Sequence, residues 1–337
     1  MPSDTSTPSS EKDELPYQIF DRTFKRLIRL SSGAVILFIN ALFGTKHPVT
    51  AKVEYLSTEH ITDKLDYWVG DVLLLVDGCH KYWIEAQITE DESMAFRIWN
   101  YSYLEGLKTK KTKGAVTTIK LVPAIVIYLE PTKNTPDELT LNIEDMDKNV
   151  HSFKYRTLKL LDYSMTELEE RNLTILLPFY LLKLRKRVKS TRSKKGLEKL
   201  SAEMVELIKE LGRITDLSVE KGKISKEDMV DMIGLIQLLY EKLYNDTELG
   251  EVNKSMDELL ITKADILKAK IKLEAKEEAR LEAKEEAKLE AKEEAKKELA
   301  REIALNLIKI GLSNDKIAEA TTLSLADIQA LTEQPNT

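Results

Sequence analysis

Apolar positions change their period along the chain, and the changes mark out its elements. Between residues 17 and 43 they recur at helical spacing, densest over 34–43 (AVILFINALF), with an expected break at Ser31, Ser32 and Gly33. Pro48 marks a loop. Residues 51–57, 67–76 and 81–89 then read as three strands in succession, rich in β-branched, leucine and aromatic residues. Helical spacing returns over 91–108, entered through Glu90, Asp91 and Glu92, acids that suit the positive end of a helix. Residues 121–129 are almost continuously apolar, with Pro123 near the start, as expected of a central strand buried on both faces and entered at its edge. Weaker strand-like pieces follow at 138–144 and 151–156. From 164 onward the pattern is helical: a helix begins over 165–170, and residues 173–184 are apolar enough to pack on the core. Residues 196–246 supply two or three amphipathic helices, with breaks expected at Asp216 and Gly222. The order helix, three strands, helix, strand predicts an α/β core followed by an all-helical region.

The C-terminal third is built differently. Residues 273–296 repeat a four-residue unit with alanine at 275, 279, 283, 287, 291 and 295. Helix propensity is near its maximum there. A period of four is not 3.5, so the apolar line winds around the helix instead of forming a coiled-coil seam. The expectation is one solvated helix over 263–304, about 60 Å long at 1.5 Å per residue. Beyond it, Gly311 is placed to end a helix, Ser313 and Ser324 to cap two short ones, and Ile317, Ala318, Ile328 and Leu331 to close a small helix-turn-helix-like cap over 305–337. Its last helix is neutral to acidic, which favours self-association, and hence a homo-oligomer, over base readout.

Composition narrows the picture. The chain has 337 residues, charged residues make up 32%, and the net charge of −6 disfavours coating DNA except through local patches. The single cysteine, Cys79, excludes an intramolecular disulfide and a Cys-based zinc site and fits a reducing cytoplasm. The four histidines show no paired spacing for a transition metal. Residues 1–16 are polar and acidic, which predicts a disordered leader and no secretory signal. The apolar segment 34–43 is too short to span a bilayer, so no membrane partner is expected.

The candidate chemistry sits in residues 71–89. Asp71 opens an apolar run, Asp77-Gly78 turns the chain, and the returning run carries Glu85, Ala86 and Gln87. As a hairpin this brings Asp71 and Glu85 toward one another, with Glu85 and Gln87 on one face. A carboxylate pair with a polar neighbour is what a hard divalent cation needs; the plainer reading is a half-exposed hairpin with charged outward positions. Arg97 and Tyr101 lie at i and i+4 of the following helix, and so share a face. They can meet phosphates or pack, with phosphate contact better suited to Arg97 and packing to Tyr101. Residues 183–195 hold eight cations and no acid: Lys183, Arg185, Lys186, Arg187, Lys189, Arg192, Lys194 and Lys195. That exceeds what capping a helix end requires and points to DNA phosphates.

The pattern D-x13-E-x-Q followed by Arg97 and Tyr101 resembles the PD-(D/E)XK nuclease superfamily, and within it the transposase-like branch that includes the recombination-promoting nucleases. Asp21 to Lys25 resembles that branch's D-x-x-F-K entry into the first helix, and the Glu/Lys/Ala tail with its Gly-Leu-Ser ending also fits. The resemblance covers residues 17 to about 130 and, more loosely, the tail. It implies a restriction-endonuclease-like domain over 17–160, a helical domain with the basic run over 161–262, and Mg²⁺- or Mn²⁺-dependent cleavage of DNA with little sequence preference. It also implies roles: Asp71, Glu85 and the Ala86 carbonyl hold the metal, Asp21 is a nearby acid, and Gln87 stands where the wider superfamily has lysine. Glutamine can orient water but offers no charge. Asp21 is open to a second reading, as a helix N-cap.

Overall fold

A computed structural model describes residues 11–61, 67–69, 71–244, 297–321 and 323–332, with a few positions between 247 and 272. Helix α1 (Glu11–Leu27) and helix α2 (Ser32–Phe43) are the halves of the apolar N-terminal segment, bent by 108° at residues 28–31. Residues 11–16 therefore belong to α1 and not to the leader expected over 1–16; the remainder of that leader lies outside the described residues. Acids in the first turn favour helix there. No single helix among the described residues is long and apolar enough to cross a membrane.

The strands are β1 (Val53–Leu56), β2 (Glu59–Ile61), β3 (Tyr67–Val69), β4 (Val72–Val76) and β5 (His80–Gln87). Helix α3 (Met94–Leu107) follows, then β6 (Lys111–Lys113), β7 (Val116–Thr118), β8 (Ala124–Tyr128), β9 (Glu138–Glu144) and β10 (Val150–Lys159). Six of them form one mixed sheet in the order β1-β4-β5-β8-β10-β9, and β2-β3 and β6-β7 are separate two-stranded hairpins. The run 67–76 is thus two strands, and β2-β3 is an insertion between β1 and β4. The β4–β5 turn works because Asp77 and Gly78 both take left-handed values, φ 48° and 68°. β5 and β8 run parallel, joined through α3, with Glu85 opposite Val126.

Alternation assigns the faces. Val72, Leu74, Ile84, Ile125 and Ile127 face the large core shared with α1 and α2. Leu73 and Trp83, and likewise Val126 and Tyr128, turn to the opposite face, which α3 covers with Met94, Ile98 and Tyr101. Glu85 has the parity of Trp83, so it lies on the α3 face.

After the sheet come α4 (Met165–Glu170), a buried 3-10 segment (Thr174–Leu181) around Pro178, then α5 (Leu182–Ser190), α6 (Lys194–Glu220) and α7 (Lys226–Tyr244). Asp216 does not break a helix: Leu211, Ile214 and Ser218 keep one buried stripe running through it. Gly222 does lie at a break, with φ 67°. Lys221 and Lys223 on either side of it each reach the buried Glu169 carboxylate of α4 at 2.8 Å. The sheet domain and the helical domain share one hydrophobic core, from Phe24 and Leu74 to Leu176, Ile208 and Ile236. They belong to one compact unit ending at Lys268.

The second unit begins at Ala269. The alanine-repeat segment 273–296 lies outside the described residues. Residues 297–309 are helical, and Gly311 (φ 82°) ends that helix with its N–H on the Ile308 carbonyl and the Leu312 N–H on that of Leu307. With helices Asn314–Thr321 and Leu325–Thr332 it closes a small core of Ala304, Ile317 and Ile328.

Two glycines give opposite predictions. A Cβ on Gly106 would lie 2.9 Å from the Lys120 carbonyl oxygen, whereas nothing lies within 4 Å of one on Gly212 in α6. Alanine gains about 1 kcal/mol of helix propensity at either site. At Gly106 a backbone clash of about 2 kcal/mol outweighs that gain. Urea denaturation is expected to show Gly106→Ala less stable than wild type and Gly212→Ala more stable.

Candidate metal centre

The β4–β5 register pairs Val72 with Ile84, which sets Asp71 opposite Glu85 just beyond the end of β4. Here the ladder is replaced by side chains. The Asp71 N–H donates to Glu85 Oε1 at 3.3 Å, and the Ala86 N–H donates to Asp71 Oδ2 at 2.7 Å. Trp83, two residues before Glu85 on the same face, donates its indole N–H to Glu85 Oε1 at 2.8 Å. Glu85 is fully buried, and its other oxygen, Oε2, has no hydrogen-bond partner among the described residues. The Gln87 carbonyl accepts from the Leu129 N–H on the β8 side. The Ala86 carbonyl, one residue earlier, therefore points the other way, where β4 has ended.

Electrostatics follow from this crowding. Burial, and then the charge of Asp71, push the Glu85 carboxyl well above the usual carboxylate range; the Trp83 hydrogen bond and Arg97 offset only part. Burial also raises Asp71, against the Ala86 hydrogen bond, with Asp21 adding to the rise and Lys25 and Arg97 opposing it. Burial alone would lower Arg97, but Tyr101, Glu85 and Asp91 outweigh it, so the guanidinium stays charged. Its Nη1 lies 2.8 Å from Asp91, which in turn accepts from the Ser93 N–H at the start of α3.

Asp21 acts on Asp71 through its charge, and Lys25, one turn later, pairs with Asp21 at 2.9 Å. The N-cap reading of Asp21 is overturned: α1 starts at Glu11, so Asp21 lies inside the helix. Tyr101 is 1% exposed and stacked on Trp83 at 4.9 Å, so it packs and offers no face to a phosphate. Through Trp83 it steadies Glu85.

The basic run divides. Arg185 is half-buried and pairs with Glu130 at 3.2 Å, and Arg187 holds Glu203 through two hydrogen bonds. Lys186 is 3.9 Å from Glu130. Lys189, Arg192, Lys194 and Lys195 are exposed, with no carboxylate in ion-pair reach among the described residues. Sequence reasoning missed Trp83, and it read Asp91 only as a helix-entry acid and Lys25 only as part of the D-x-x-F-K run. The first two leave a trace, an indole at i−2 of Glu85 and an acid ahead of α3; Lys25 stands out only beside Asp21 at i+4.

No set of three or more His, Cys, Asp or Glu side chains among the described residues is arranged for a metal. The available donors are the unpartnered Glu85 Oε2, the Asp71 carboxylate and the Ala86 carbonyl, all oxygens. A buried and a half-buried carboxylate sharing one hydrogen-bond network, the buried one with an orphaned oxygen, fit a hard cation that keeps several of its own waters. They do not fit zinc, which favours nitrogen and sulfur. Compared with models of protein families, with curated proteins and with solved structures, the chain matches none.

Proposed function

We propose that the chain is a Mg²⁺- or Mn²⁺-dependent DNA endonuclease with a restriction-endonuclease-like core, of the transposase-like PD-(D/E)XK kind. The observation that carries this reading is the Asp71–Glu85 pair at the β4–β5 sheet end, with Glu85 Oε2 buried and unpartnered among the described residues. The order of helices, antiparallel β1-β4-β5, crossover α3 and parallel β8 supports the same reading. Bound there, the metal supplies Lewis-acid polarisation of a phosphodiester. The protein's own groups do the rest. Trp83 fixes the Glu85 rotamer and Ala86 fixes that of Asp71. Arg97, held by Asp91, keeps a positive charge beside the pair. Gln87 offers its amide to orient the attacking water.

Supercoiled plasmid with Mg²⁺ or Mn²⁺ tests the proposal. Nicking by the wild type, abolished in both Asp71→Asn and Glu85→Gln, is the expected result. An intact plasmid that the folded protein still retards in a gel favours a DNA-binding scaffold with a silent site. Gln87→Lys restores a cation near the scissile group, and we expect at least about tenfold faster nicking, a gain of about 1.4 kcal/mol in the barrier.

A further inference from the structure

We infer that a cleft between α1, α5 and α7 binds a single strand of nucleic acid. The cleft measures about 960 Å³, and six cations line it: Arg22, Arg26, Arg185, Lys189, Arg192 and Lys242. No Asp or Glu is among the described residues lining it, in a protein whose net charge is −6. The cations come from three separate parts of the chain, so the charge is a product of the fold and not of the basic run alone. Arg26 and Arg185 have acidic neighbours, Asp231 and Glu130. Arg22, Lys189, Arg192 and Lys242 are exposed and have no carboxylate in ion-pair reach among the described residues.

Its apolar lining is aliphatic, with Val188 and Leu235 buried as a floor and Ile19 and the exposed Leu238 beside them. A charged rim over an aliphatic floor matches a strand whose phosphates lie outward and whose bases turn in. A duplex presents the reverse, with its bases covered by two backbones, and its width keeps it out of a concave cleft of this size. No aromatic ring is among the described residues lining the cleft, so stacking contributes little and affinity rests on phosphate contacts. Binding is then insensitive to sequence and steeply dependent on salt.

Helix α1 connects the cleft to the carboxylate site. Asp21 and Lys25 stand on the side that acts on Asp71, and Arg22 and Arg26, each one residue on, line the cleft. A helix is about 10 Å across. A strand with its scissile phosphate at Asp71 and Glu85 would reach the cleft within a few nucleotides. This inference rests on the nucleic-acid part of the proposed function but not on cleavage.

Fluorescence anisotropy with a labelled oligothymidylate and its duplex, in EDTA, tests it. Four phosphate contacts predict that log K falls with log salt at a slope of about −3, from about −0.7 per contact on a single strand. The wild type is expected to prefer the single strand. Arg22→Glu with Lys242→Glu should weaken binding at least about tenfold and flatten the slope by about 1.4. Lys113→Glu, on the exposed β6–β7 hairpin, should change neither. All three side chains are exposed, so folding is not at risk. Unchanged binding in the double variant overturns the inference, as does tighter binding of the duplex. Displacement of the strand by equimolar inorganic triphosphate also overturns it, as a small-anion site. Asp71→Asn separates the two claims: it should lose nicking while keeping strand affinity, and a wild type that binds without nicking sinks the nuclease reading alone.

Discussion

Glu85→Gln is expected to make the metal-free protein more stable than wild type at neutral pH, by on the order of 2 kcal/mol. The reason is the cost of burying the Glu85 carboxylate beside that of Asp71. Both Asp71 and Glu85 have folded-state pKa values above those of the unfolded chain. A carboxyl raised in this way holds its proton in the folded state at a pH where the unfolded chain has released it. The pair's contribution to the stability of the metal-free wild type is therefore greatest below the ordinary carboxylate range, and is lost as pH rises from about 4 to 5 through neutral. The substitution removes one charge from the pair and flattens that decline. A divalent cation reverses the ordering: with millimolar Mn²⁺ the wild type gains stability by linkage and Glu85→Gln does not. Urea titrations from pH 5 to 8, with and without Mn²⁺, give all four curves. A wild type that is the more stable without metal at pH 8 would remove the electrostatic basis of the centre.

Asp228→Ala is expected to destabilise the protein by on the order of 3 kcal/mol, with no direct effect on the carboxylate pair. Asp228 is buried and accepts the Ser31 N–H at 2.7 Å, the Ser31 hydroxyl, and the Ser225 N–H at 2.9 Å. It thereby ties the bend between α1 and α2 to the first turn of α7. Alanine takes the acceptor away from the Ser31 N–H and hydroxyl and, at the same time, removes the Asp228 half of the reciprocal cap with Ser225 at the start of α7. Asp228→Asn keeps acceptor oxygen and should recover part of the loss. Equilibrium denaturation decides it. A change below about 0.5 kcal/mol, normal for a surface site, would show the bend is held by packing alone.

Much of the sheet was legible because its strands obey simple burial. β8 is apolar throughout since both of its faces are covered, and β4 and β5 flank an Asp-Gly turn that only left-handed residues make. The two hairpins were not legible. β6 and β7 are exposed at every position, so no alternation marks them. The run 67–76 looks continuous because Tyr67 to Val69 and Val72 to Val76 are both apolar, and only pairing shows that they belong to different sheets. Asp71 and Glu85 were legible as a pair from hairpin geometry. The pairing of Arg185 with Glu130 was not, since those residues lie 55 apart in sequence. The cleft was half legible: its α5 cations stand in the basic run, whereas Arg22, Arg26 and Lys242 are ordinary helix-surface charges until the helices pack.

The central claim, that Asp71 and Glu85 form a metal centre, is tested most directly by calorimetric titration of the metal-free protein with Mn²⁺. One site per chain in the wild type, lost in both Asp71→Asn and Glu85→Gln while each variant remains folded, is the predicted result. Equal Mn²⁺ binding by wild type and both variants would contradict it.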